Sequence, residues 1–476
     1  MKLRGDILLL SCYELGHQPL GVAWPLGFLE AAGYRPVAQD LAVDRLDPAH
    51  VARARFVGIC VPMHTALRLG VRVATRIREV NPNAHICFFG MYASLNAETL
   101  LDGVADSVIG GEYEATLVEL VTALDAGQPL AIAGVNIKGR VAGPVLTRIR
   151  FVPPSRDDLP GLERYAKLQV NGEERVVGYV EASRGCKHLC RHCPIPPVYN
   201  GQFFVVPVET VLDDVTSQVK AGAQHITFGD ADFLNGPTHA RRVVAAVNER
   251  FPSLTFDFTA KVEHLLKHRD LLPEFAKSGA LFVVSAVESF NDVVLQHLDK
   301  GHTRADAFDA FKILRDTGIV LRPSLVPFTP WATLDDYVEL FDIVEREGLI
   351  DAVDPIQYVI RLLVPPGSLL ERDPAITPYL GKLDAPSFTY QWTHPDPRMD
   401  RLYRDAKREV EETTERDDDP AVTFARLREL ARVLREDREP RPVAVSPDPN
   451  RTRPPRLTEP WFCCAEPTEG QFDRAI

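Results

Sequence analysis

No stretch of this sequence is apolar for long enough to cross a bilayer, and no basic-then-apolar segment opens it. Neither a membrane protein nor an exported one is expected, and the reading is cytoplasmic. Positive charge is not in excess either. The net charge is −12, which argues against general nucleic-acid binding, since that needs a basic surface. Eight cysteines in 476 residues, read in a cytosolic setting, point to metal or catalytic use rather than to a disulfide framework. There is no internal repeat beyond an alternation of strands and helices. What is present is ordinary globular composition, 45% hydrophobic and 25% charged, in a chain long enough for two or three domains.

Strand-like runs at 6–11, RPVAQDL, RFVGICV, AHICFFG and ADSVIGG alternate with helical patterns near 25–32, 46–54, 67–80 and EATLVELVTAL. That alternation predicts an α/β, doubly wound N-terminal domain over 1–125. Residues 126–175 read as an irregular linker. A second alternation follows, with strands expected at 177–182, 224–229, 254–260, 280–287, 319–327 and 355–363. Six β/α units predict a partial (β/α)6 barrel over 176–375, with the active site at the C-terminal strand ends. Residues 376–438 read as a charged, solvated helical extension. Residues 439–476 read as a Pro-rich extended arm ending in WFCCAEPTEGQF.

Cys186, Cys190 and Cys193 lie just after the first barrel strand, spaced CxxxCxxC. Three thiolates so close suit three corners of a cubane iron–sulfur cluster. No fourth cysteine follows, so the fourth iron is open to a substrate or cofactor. The alternative is a zinc site, which more often pairs CxxC units and uses four ligands. Arg184, Lys187, His188, Arg191 and His192 surround the cysteines. They either favour the reduced cluster or simply balance its charge. Cys12, Cys60 and Cys87 read as small buried hydrophobes, with Cys12 at a strand end where open sheets bind ligands.

The cysteine loop and its barrel resemble the radical S-adenosylmethionine (SAM) enzymes over most of the chain. The resemblance implies a 4Fe–4S cluster on the three cysteines, with SAM chelated to the open iron. It also implies an external electron donor such as flavodoxin or ferredoxin. Gly229, Asp230 and Asp232 match the segment that holds the methionine amino group, and Glu288 and Ser289 the segment at the ribose and methionyl end. Arg361 is expected near the cofactor on the sixth strand. The plainer readings are a helix cap or turn for Asp230 and Asp232, and a satisfied core-rim carboxylate for Glu288. The N-terminal domain is similar to the cobalamin-binding-like domains that precede such barrels, on Pro25–Leu26–Gly27, Asp40 and Gly110–Gly111–Glu112–Tyr113–Glu114. It lacks the DxHxxG histidine; neither His17 nor His64 has that context.

Cys463–Cys464–Ala465–Glu466–Pro467 resembles the terminus that defines the CUAEP/CCAEP-tail radical SAM proteins, some of which carry selenocysteine where this chain has Cys464. That resemblance implies arsinothricin-type chemistry, the transfer of a 3-amino-3-carboxypropyl group from SAM to trivalent arsenic. Vicinal thiolates suit a soft electrophile such as arsenite. Trp461 and Phe462 would anchor the tail, and Glu466 would orient a thiol or the substrate amine. A redox dithiol, a site for another soft metal and an inert terminus are the competing readings.

Overall fold

Two runs of alternating strand and helix build two separate parallel sheets. The protein is represented by a computed structural model that describes residues 1–443, 445–448, 451–459 and 465–474. Trp461, Phe462, Cys463 and Cys464 lie outside the described residues.

The first sheet has strands β1 (Ile7–Ser11), β2 (Val37–Asp40), β3 (Phe56–Cys60), β4 (His85–Phe89) and β5 (Ser107–Ile109). Their order is β2-β1-β3-β4-β5, all parallel, with the short β6 (Val135–Asn136) antiparallel on β5. Helices cover both faces, so β1 and β3 are buried throughout and read as continuous apolar runs. Leu8 pairs with Val37 on one side and Val57 on the other. The strand order reverses between β1 and β3, the position where open α/β sheets take ligands at their C-terminal edge.

Residues 126–175, read as an irregular linker, carry regular elements. They contain β6, and also β7 (Lys167–Val170) and the start of β8 (Glu173–Val180), an antiparallel hairpin. Asn171 and Gly172 form its turn with φ of 52° and 77°, values that match a two-residue type I′ turn.

The second sheet runs β14 (Val320–Leu325), β13 (Ala280–Glu288), β12 (Thr255–Ala260), β11 (His225–Phe228), β8 in parallel, with β7 and β17 (Arg456–Leu457) added antiparallel at its edge. It curves into the half-barrel expected. The sixth unit departs from expectation. Residues Pro355–Val359 form a 3-10 helix, and only Phe328 and Arg361 make a parallel bridge. Pro355, Pro365 and Pro366 bracket this stretch and remove ladder donors.

Two further antiparallel pairs complete the chain. β9 (Ser183–Gly185) with β10 (Phe203–Val205) closes the cysteine loop. β15 (Leu380–Asp384) with β16 (Thr389–Trp392) precedes the helices Pro397–Glu415 and Pro420–Glu436. The first of these helices is not a solvated appendage on every side. Met399, Leu402, Ala406 and Val410, spaced on one face, are essentially fully buried. Among the described residues no helix is long and apolar enough to cross a membrane.

Candidate active site

The cysteine loop leaves the half-barrel at the C-terminal end of β8 and is pinched shut by β9 and β10. Gly185 makes the pinch possible. Its φ is +75°, and a Cβ there would meet the Gln202 carbonyl and the Tyr199 ring at 2.6 Å. Cys186 and Cys190 are buried, Cys193 is half-buried, and all are free thiols. The Cys193 amide donates to the Cys190 carbonyl at 3.2 Å, which tightens the CxxC half. Burial pushes the Cys186 and Cys193 thiols up. A positive centre is what would draw the protons off such a set.

Asn235, which the sequence reading did not single out, organises the loop from below. Its Oδ1 accepts from the Lys187 amide at 3.3 Å and faces Cys186 Sγ at 3.6 Å, and its backbone carbonyl accepts from Lys187 Nζ at 3.1 Å. Asn235→Ala should lower stability by about 1–2 kcal/mol, the cost of leaving buried donors unmet. It should also reduce the iron bound per chain, which thermal unfolding and iron assay would check.

The rim is charged and tightly paired. Glu288 is buried with φ of +62°, a conformation that costs energy in a non-glycine residue. Lys300 Nζ donates to Glu288 Oε1 at 3.0 Å, and His192 Nε2 lies 3.3 Å away. Burial alone would raise the Glu288 carboxyl, but Lys300 and His192 hold it well below the carboxylate range. Burial works against the Lys300 charge, but Glu288 and the Cys190 and Cys193 sulfurs keep its pKa raised. The ammonium therefore sits in the field of the cysteine loop. The Ser289 hydroxyl accepts from the Asn291 amide at 3.1 Å.

Asp230 and Asp232 are both occupied by the protein. Asp230 accepts from the Ala182 amide and the Ser183 hydroxyl, so it fixes the entry to β9, and burial pushes its carboxyl up to about 7. Asp232 Oδ1 caps Leu234 at 3.0 Å, and its Oδ2 lies 2.7 Å from His264 Nδ1. His264 Nε2 is in turn 3.0 Å from Nε2 of His188 in the cysteine loop. Gly229 is required by packing, since a Cβ would fall 2.5 Å from the Tyr179 ring. Of the residues expected around a cofactor, the structure gathers Asp230, Asp232, Glu288 and Ser289 at the strand ends beside the loop.

Arg361 is placed elsewhere. Its guanidinium donates to the Trp392 carbonyl at 2.8 Å, lies 2.9 Å from Asp400 and stacks 3.6 Å over the Trp392 ring. These contacts are with the C-terminal extension, not with the cysteine loop. It lines a cavity of about 420 Å³ with Tyr403, Arg404, Lys407, Ala465 and Glu466. Glu466 pairs with Arg68 and His64, so its carboxylate anchors the tail to the N-terminal domain.

Arg184, two residues before Cys186, leaves the half-barrel and enters the N-terminal domain. It contacts Glu114 and Glu181 at 2.6 Å and Glu112 at 3.4 Å, and sits 5.1 Å from the Trp24 and Phe151 rings. The Tyr199 hydroxyl donates to Glu112 at 3.0 Å. Burial pushes the Glu114 carboxyl up to about 7 despite Arg184.

Residues 180–342 match the family model described as Radical SAM superfamily, so the chain carries a radical SAM domain. It is 24% identical over 336 residues to the anaerobic magnesium-protoporphyrin IX monomethyl ester cyclase of Rubrivivax gelatinosus, covering 65% of this chain and 58% of that protein. It is 30% identical over 196 residues to the ribosomal protein uS12 methylthiotransferase RimO of Thermotoga petrophila, covering 38% of this chain and 44% of that one. The chain thus spans under three-fifths of the length of these curated relatives. Among solved structures it resembles the cobalamin-dependent SAM radical enzyme OxsB with aqua-cobalamin bound, at TM-score 0.67 and 17% identity over 90% of this chain and 72% of that one. It also resembles the radical SAM methyltransferase TsrM of Kitasatospora setae with cobalamin and a [4Fe-4S] cluster bound, at TM-score 0.57 and 18% identity over 73% and 71%. Likeness at this identity shows the shared two-domain fold.

A radical SAM domain implies a 4Fe–4S cluster and SAM, and the residues fit both. Three unpaired thiols share one pinched loop, and a buried carboxylate–ammonium pair stands beside them. Cobalamin fits less directly. His17 is stacked flat on Tyr179 at 4.3 Å, with burial pushing its pKa down to about 4, and His64 is held by Glu466. Only Nε2 of His64 faces Glu466; its Nδ1 is buried and makes no hydrogen bond among the described residues.

Proposed function

We propose that this protein is a radical SAM enzyme that transfers a 3-amino-3-carboxypropyl group to trivalent arsenic held by Cys463 and Cys464. A cluster on Cys186, Cys190 and Cys193 with SAM at its open iron supplies one-electron cleavage of a sulfonium carbon–sulfur bond. The chain's part is placement. Glu288 and Lys300 present a fixed charge pair beside the loop, and Asp232 offers an oxygen toward His264 at the end of β11. The observation that carries the arsenic reading is the vicinal cysteine pair next to an Ala465–Glu466 segment packed into the structure. Soft thiolates suit arsenite. The balance is one SAM, one arsenite, two electrons from the reductant and one proton, giving 5′-methylthioadenosine, water and an aminocarboxypropyl arsenical.

Anaerobic incubation of reconstituted protein with SAM, dithionite and arsenite should yield methylthioadenosine and the organoarsenical in equal amounts by mass spectrometry. Stoichiometric 5′-deoxyadenosine without an organoarsenical would reject the assignment. A second reading, cobalamin-dependent methyl transfer to a small molecule, is favoured by the likeness to OxsB and TsrM. An absorbance spectrum showing no cobalamin retained, and none taken up on addition, would dispose of it.

A further inference from the structure

The C-terminal tail is fastened to the N-terminal domain on both sides of the segment that carries Cys463 and Cys464. Upstream, the Tyr13 hydroxyl donates to Glu459 Oε1 at 3.1 Å. Glu459 also lies so close over Gly16 that a Cβ there would stand 2.6 Å from Oε2. Downstream, Thr65 Oγ1 donates to the Ala465 carbonyl at 2.8 Å, and Glu466 Oε1 is 3.0 Å from His64 Nε2. Arg68 completes an ion pair with Glu466, and the guanidiniums of Arg68 and Arg72 stand 5.8 and 5.0 Å from the Phe472 ring. Burial would raise the Glu466 carboxyl, but His64 and Arg68 hold it below its usual range.

The positions of these anchors carry the argument. Tyr13 and Gly16 belong to the loop after β1. His64 and Thr65 open the helix His64–Val80, after β3. β1 and β3 flank the reversal in strand order, and ligands of open α/β sheets bind outside the C-terminal ends of such a pair. The six residue steps from Glu459 to Ala465 span at most about 20 Å.

We infer that the N-terminal domain is the dock for the chain's own C-terminus, and that Glu466 is a positioning residue that sets where the tail cysteines act. What those cysteines do rests on the function proposed above; the docking does not. On this view His64 anchors the tail through its Nε2.

The test compares the full-length, cluster-reconstituted protein with Arg68→Glu, Glu466→Arg and the charge-swapped pair. Amide exchange across 466–473 should be slow in the unaltered protein and in the swap, and about tenfold faster in each single variant, since each sets two like charges together at a half-buried contact. With SAM, reductant and arsenite, each single variant should lose about tenfold in organoarsenical while still consuming SAM, and the swap should recover it. Exchange as fast in the unaltered protein as in the single variants overturns the dock. Slow exchange with undiminished product in the single variants overturns the positioning role. If no protein, the unaltered one included, makes an organoarsenical, the arsenic reading fails and exchange alone decides the dock.

Discussion

Cys193→Ala is expected to bring SAM cleavage to background, while the protein stays folded. Cys193 is half-buried and its Sγ is a small apolar group in the protein's own packing. Truncation removes about 1 kcal/mol of packing at most. Its loss as a ligand is a different matter. Three cysteines are the least that hold a cubane cluster with one iron open, and no described cysteine lies beside the loop to replace one. Cys12, Cys60 and Cys87 are buried within or at the ends of N-terminal strands and their burial pushes all three thiols up, so they are poor substitutes. Cys186→Ala and Cys190→Ala should behave alike. Reconstitution with iron and sulfide, followed by visible absorbance and SAM turnover, measures the effect. A variant that kept both its cluster and its cleavage would remove these residues from the cofactor site.

The parts of this design visible in the sequence are those written in local chemistry. The CxxxCxxC spacing is covalent information and needs no fold to be read. The parallel strands were legible because burial on both faces makes them continuous apolar runs, as in Ile7–Ser11. The β7–β8 hairpin was equally legible but missed. Asn171–Gly172 is a strong hairpin signal, but its flanks, Lys167–Val170 and Glu173–Arg175, are too polar to read as apolar strand runs. The sixth strand was overread, because the apolar run at 355–363 suits a strand while its prolines do not.

Arg361, Glu466 and Arg184 were harder, for a physical reason. Each is defined by a partner in a different part of the fold. Arg361 belongs to Asp400 and Trp392, Glu466 to His64 and Arg68, and Arg184 to Glu112 and Glu114. No periodicity or spacing encodes such pairings. Gly110–Gly111–Glu112–Tyr113–Glu114 was noted as part of a ligand-binding-like domain, but its two carboxylates hold the arginine beside the cysteine loop. The N-terminal domain thereby meets both the cysteine loop and the tail with residues that follow the C-terminal ends of its parallel strands.

Arg184→Met should then be the costliest single change away from the cysteines. Glu112 and Glu114 are fully buried, Glu181 adds a third carboxylate, and Arg184 is the cation between them. Removing one partner from a buried ionic group costs about 3–5 kcal/mol, because the remaining charge is left unpaired. A fall in melting temperature of about 3–5 °C should follow. The pH dependence has a definite sign. Burial already raises the folded pKa of Glu114 to about 7 and also raises Glu181, and without Arg184 both should rise further. A carboxyl raised in the folded state adds stability that is fully present below its unfolded pKa, about 4.3, and is lost as pH rises through the folded value. The deficit of Arg184→Met should therefore be largest above pH 7 and shrink toward pH 5. Adding Glu112→Gln and Glu114→Gln to the variant should recover much of the melting temperature at neutral pH, since neutral amides need no counter-charge. If the deficit were flat across pH, or the glutamines recovered nothing, Arg184 would be acting through packing on Trp24 and Phe151 rather than as the counter-charge that joins the two domains at the cysteine loop.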